Sequence, residues 1–100
     1  MAERVTLFID AQNVYRGARE CFYGGNAAHH ADGQIDPIAV GNLICSRAPA
    51  GVQRILEEVR VYTGRPSATR QPRAYAAHMR QCAAWERAGA IVVPRTLRYP

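Results

Sequence analysis

The sequence predicts an α/β fold built on a mainly parallel sheet, and three observations carry that reading. Short β-rich runs alternate with longer stretches of helical spacing. The first run, Val5-Thr6-Leu7-Phe8-Ile9, is uncharged and lacks polar alternation, the pattern of a strand buried on both faces. The elements then follow as β-α-α-β-α-β, an order that joins parallel strands through right-handed crossovers.

Each element has its own local signal. The first strand, Val5–Ile9, ends at Asp10. A helix follows, for which Asn13 is the expected cap, with Val14, Ala18, Cys21 and Phe22 at helical spacing and Gly24-Gly25 as the stop. Residues 26–34, rich in Gly, Ala, His and Asp, read as a surface loop. Asp36-Pro37 starts a second helix, with Asp as N-cap and Pro at the first helical position. Ile35 and Val40 stand at the positions of a hydrophobic staple, and Ala48-Pro49-Ala50-Gly51 ends the helix. Ile55–Tyr62 is the second strand, and Thr63-Gly64-Arg65-Pro66 turns out of it. Pro72 opens a third helix that runs to about Ala88, with Gly89 just past its end. Its expected inner stripe is Tyr75, Met79, Cys82 and Trp85 or Glu86. Ala90–Val93 is the third strand, closed by Pro94, and residues 95–100 carry no pattern.

One hundred residues with 48% apolar content suit one domain, residues 1–100, with a single core. No apolar run approaches the roughly 20 residues that span a bilayer, and no secretory leader pattern opens the chain, so no membrane partner and a cytoplasmic location are expected. Cys21, Cys45 and Cys82 are widely spaced and form no C-x-x-C pair, which argues against a disulfide framework or a structural zinc site. The net charge is +5, and all thirteen basic residues are arginine. Arginine's planar fork grips phosphate in bidentate fashion, so this balance leans toward nucleic acid.

In an open parallel sheet, ligands gather at the carboxyl ends of the strands. Asp10, Thr63-Gly64-Arg65 and the residues after Val93 fall there. Asp10 is the sharpest of these, an acid closing an apolar strand. Asn13 lies one helical turn on, so both side chains can converge on one cation or one phosphate. The alternative is that Asp10 and Asn13 only cap the helix. There is no Walker A sequence, and position 12 is glutamine, so the second aspartate of haloacid dehalogenase-type phosphatases is missing. Arg73, Arg80 and Arg87 recur every seven residues as one outward stripe. Arg65 and Arg70 precede that helix, and Arg16 and Arg19 lie on the first. His29-His30 reads as a loop pair rather than a metal site, and His78 as a core or boundary histidine.

Phe8-Ile9-Asp10-Ala11-Gln12-Asn13-Val14-Tyr15 resembles the opening of NYN domains, relatives of the PIN ribonucleases, whose first strand ends in Ile-Asp-x-x-Asn. Val59–Pro66 resembles their second strand and its exit loop, and Trp85–Val93 their third helix and strand. The resemblance runs in order over nearly the whole chain. It implies a PIN-like three-layer α/β/α fold with a mainly parallel sheet and metal-dependent cleavage of RNA phosphodiesters. By that resemblance Asp10 is a metal-binding carboxylate and Asn13 its neighbour in the site, with Mg²⁺ or Mn²⁺ as cofactor. Arg16, Arg65, Arg70 and Arg73 are the expected RNA-binding residues. The chain departs from the family after Gly89, where no further acid occurs. The C-terminal strands that complete such a domain are therefore expected to be missing. That leaves the first strand as an open edge able to pair with a second copy. A non-catalytic RNA-binding or dimerisation module of the same fold is the alternative.

Overall fold

The structure, a computed structural model, describes residues 2–23 and 36–99, with side chains over 2–17 and 36–99. Ile35 of the expected staple, the Gly24-Gly25 stop and the 26–34 loop with His29-His30 lie outside the described residues. The elements are β1 (Ala2–Asp10), α1 (Ala11–Tyr23), α2 (Pro37–Ser46), β2 (Gln53–Arg65), α3 (Pro72–Arg87) and β3 (Ile91–Thr96). They form an α/β arrangement on one open three-stranded sheet of order β1-β2-β3, with both neighbouring pairs parallel.

All three strands are longer than their apolar runs. Polar residues extend β1 at its start, where Glu3 meets Arg54 and Arg4 meets Glu57, each at 3.7 Å. Pro94 does not close β3. The strand continues through it to Thr96, because β3 lies at the outer side of the described sheet, where a residue without an N–H leaves no ladder bond unmade.

The register holds one irregularity. Val5 pairs with Leu56 but Thr6 pairs with Glu58, so Glu57 is an extra residue in β2. A regular strand would put Leu56 and Val59 on opposite faces. The bulge brings both to the same face as Val61. There Ile9, Val59, Val61 and Ala90 form the buried core, with Leu56 and Leu7 packed beside them.

Val14 of α1, Ile38 of α2 and Trp85 of α3 all pack on that one cluster. A sheet that adds strands in chain order, in one direction and with crossovers of one hand, carries its helices on a single face. The described residues therefore form two layers rather than the three expected. The opposite face holds Phe8, Arg60 and Ile91 in one row and Asp10, Tyr62 and Val93 in the next, by register. Phe8 there is 64% exposed and Ile91 43%. The apolar run of β1 is thus buried on one face only, and its outer edge pairs with no other strand among the described residues.

The helix ends follow their local chemistry. Asp36 Oδ1 accepts from the backbone N–H groups of Ile38 at 3.0 Å and Ala39 at 3.2 Å, with Pro37 in the first turn. At the end of α3, Gly89 N–H donates to Glu86 O and Ala90 N–H to Trp85 O, each at 3.0 Å. This is a Schellman motif, and Gly89 supplies its left-handed residue at φ +106°. The inner stripe of α3 is Tyr75, His78, Cys82 and Trp85. Met79 and Glu86 point outward, correcting the expected stripe. Both His78 and Met79 satisfy helical spacing from Tyr75, and the sheet beneath decides between them.

Candidate functional site at the carboxyl edge of the sheet

The carboxyl ends of all three strands open into one groove of about 610 Å³. Phe8, Ile9 and Asp10 reach it from β1 and Gln12 from the start of α1. Tyr62, Thr63 and Gly64 come from β2, and Arg95 and Thr96 from β3. Leu97 and Arg98, from the segment after β3, form the far wall. Parallel strands end together, so their terminal side chains and the loops leaving them converge at one edge.

That far wall is held in place. Leu97 N–H donates to Arg65 O at 2.9 Å, extending the ladder past β3. The Leu97 side chain lies over Gly64, where a Cβ would stand 2.6 Å from Leu97 Cδ2. A hydrogen at position 64 is what lets the segment cross so closely. Tyr99 then fastens the chain. Its hydroxyl accepts from Ser67 N–H at 3.0 Å and donates to Gln71 Oε1 at 2.6 Å.

Asp10 closes β1 and caps α1. Its Oδ1 accepts from Asn13 N–H and its Oδ2 from Asn13 Nδ2, both at 3.1 Å. Asp10, and not Asn13, is therefore the cap of the first helix. Asp10 remains exposed and lines the groove, so one carboxylate serves the helix end and faces the ligand space. Among the described residues that line the groove it is the only acid, and Arg95 and Arg98 line the same groove. Among the described residues no three His, Cys, Asp or Glu side chains gather as a metal cluster.

The remaining expected residues are spread around this edge. Arg16 is exposed on α1, and Arg73 is exposed in the first turn of α3, with Arg80 and Arg87 further along. Arg70 stacks over the Tyr99 ring, 5.0 Å from its centroid. None of these lines the groove. Arg65 ends β2 and turns under α3. Its Nε is buried without a hydrogen-bond partner, and its charge acts on His78 and Cys82. His78 Nε2 lies 3.3 Å from Cys82 Sγ. Burial, and secondarily the Arg65 charge, holds the His78 imidazole below its usual range. Burial pushes the Cys82 thiol up, against a smaller downward pull from Arg65.

Residue patterns missed Arg95, Arg98 and Phe8 as groove residues, whereas Tyr62, which sequence marks as a strand-end ring able to stack on bases or simply to pack, does line it. The position after Val93 reads as a strand end, yet Arg95 and Arg98 carry no spacing signal. The bare face of β1 depends on the sheet order, which no local pattern encodes.

No family model, curated protein or solved structure matches the chain. Fold and groove together define an open parallel α/β sheet whose carboxyl edge carries a groove lined, among the described residues, by one acid and two arginines. Among the described residues no helix is long and apolar enough to cross a membrane.

Proposed function

We propose that the groove binds RNA, and that the chain is a metal-dependent endoribonuclease of the PIN-like, NYN kind. The observation that carries this reading is Asp10, exposed at the carboxyl end of β1 and lining one groove together with Arg95 and Arg98. Arginines suit RNA phosphates, and a carboxylate among them is the group that can hold a divalent cation.

The donor set fits such an ion in its minimal form. Mg²⁺ takes one or two carboxylates and completes its shell with water and substrate phosphate. Each Asp10 oxygen accepts one hydrogen bond from Asn13 and keeps lone-pair capacity, and Thr63 and Gln12 add neutral oxygens to the groove. Asp10 would hold the ion together with a phosphate of the RNA. Once bound, the ion would lower the pKa of a water and offset charge on the leaving oxygen. Asn13 fixes the Asp10 carboxylate, while Arg95 and Arg98 position the strand.

The test is cleavage of end-labelled RNA with Mg²⁺ or Mn²⁺, with Asp10→Asn as the variant. Asparagine caps a helix about as well as aspartate, so the fold persists while the charge is removed. Loss of cleavage with folding intact supports the reading, and unchanged cleavage in Asp10→Asn overturns it. A second reading, an RNA-binding module without catalysis, is favoured by Asp10 standing as the one acid among the described residues that line the groove. Salt-sensitive binding without cleavage under either metal selects it. Pairing of two copies through the free edge of β1 would appear as a dimer mass in light scattering.

A further inference from the structure

We propose that two copies of this chain pair antiparallel through the outer edge of β1, with Leu7 facing the partner's Leu7 on a two-fold axis and Arg4 facing the partner's Asp10. The inference is separate from the reading of the groove and holds whether or not RNA is cleaved there. Among the described residues, the outer edge of β1 meets no strand. An open edge is a template for another strand unless short length, charge, proline or a bulge blunts it. β1 is nine residues long, and Val5–Ile9 holds no charge and no proline. The one irregularity in its pairing falls in β2.

The charges of β1 match a copy of itself. Arg4 and Asp10 stand three residues to either side of Leu7, on the sheet face that holds Phe8. Directly opposite residues of an antiparallel pair share a face, so the axis passes between a residue and its own copy. With Leu7 at that point, Arg4 and the partner's Asp10 come within about 5 Å at their Cβ atoms, once on each side of the axis. Val5 faces the partner's Ile9 on the core side. Thr6 faces the partner's Phe8 on the other. The two Phe8 rings then lie on a diagonal of about 7–8 Å, within aromatic reach, which gives cover to a side chain that is 64% exposed in the single chain. Neighbouring registers lose the fit. Thr6 on the axis sets Glu3 against the partner's Ile9, and Phe8 on the axis leaves Arg4 with no acid opposite. In the single chain the Arg4 side chain is 78% exposed and reaches Glu57 at 3.7 Å, a surface pair that holds it only weakly. β1 carries one arginine against two acids, so the basic excess behind the net charge of +5 lies away from this edge.

The experiment is sedimentation velocity over a range of protein concentrations, on the wild-type chain and on two charge reversals. The wild type should form a reversible dimer. Arg4→Asp sets two acids opposite each other and Asp10→Arg two arginines, so each should weaken association at least about tenfold. Mixed one to one, the two variants regain both opposite-charge contacts, and the dimer should return as a heterodimer. Because Arg4 is exposed, Arg4→Asp should keep the wild-type melting temperature. Asp10→Arg removes a helix cap, so circular dichroism checks its fold before mixing. A wild type that stays monomeric at every concentration overturns the proposal. A dimer that Arg4→Asp leaves unchanged also overturns it, and that result needs only the one exposed substitution. Two folded variants that stay monomeric when mixed overturn the register, and with it the assignment of Arg4 to the partner's Asp10.

Discussion

Asp10 shows how one side chain can serve the backbone and the ligand space together. Its oxygens satisfy the third N–H of α1 and the Asn13 amide, yet it stays exposed at the groove. The two readings of the Asp-x-x-Asn spacing, cap and ligand, are therefore compatible. His78 makes a second prediction at this scale. Burial and Arg65 favour the neutral imidazole in the folded state. An unfolded chain takes up a proton near the ordinary imidazole value of 6.5, so folding stability is retained above that pH and lost as pH falls below it. Cys82 acts at the other end, with stability lost as pH rises above 9.0, because the unfolded thiol ionises first. Melting temperature against pH should therefore form a plateau between these limits. His78→Gln should flatten its acid side; an unchanged acid limb would place the effect elsewhere.

Among the elements, the helices were the most legible. Asp36-Pro37, Pro72 and Gly89 each carry a local rule, and each stands where that rule puts it. Gly89→Ala forces a Cβ into φ +106° and should cost about 1–2 kcal/mol, read by chemical denaturation. Gly17, in α1 with nothing within 4 Å of a built Cβ, should respond the opposite way. Gly17→Ala should stabilise by about 0.5–1 kcal/mol through helix propensity alone. A loss at Gly17 or no effect at Gly89 would contradict these conformations. The strands were less legible at their ends. Glu3, Arg4 and Pro94 look like boundary residues, but neighbouring strands recruit them, through ion pairs in one case and edge placement in the other. The α3 stripe was mis-phased at Met79 because i+3 and i+4 are equivalent on an isolated helix.

At the scale of the whole molecule, stability concentrates in a small core. Val59 and Val61 are almost wholly buried, and Val61 carries no exposed surface. Val61→Ala should cost about 2 kcal/mol from two lost methyl groups and the cavity they leave, measured as a shift in denaturation midpoint. A cost below about 0.5 kcal/mol would mean that the core closes around the gap. The same two-layer arrangement leaves Phe8, Tyr62 and Ile91 on the sheet face that no described helix covers, and the groove lies at its carboxyl edge.

The sequence by itself determined the α/β class, the order of elements, the starts of the second and third helices, the end of the third, and Asp10 at the end of the first strand. All of these depend on residues within a few positions of one another, where backbone and capping chemistry act directly. Only the tertiary structure decided that β2 lies between β1 and β3 and that the helices share one face. It also decided that Arg95 and Arg98, rather than Arg16, Arg70 or Arg73, line the groove with Asp10. Those outcomes depend on strand order, on the Glu57 bulge and on Leu97 crossing Gly64, which join residues some thirty to ninety positions apart. Pairing over such separations is selected by burial of the assembled sheet, and burial has no signature in any single segment.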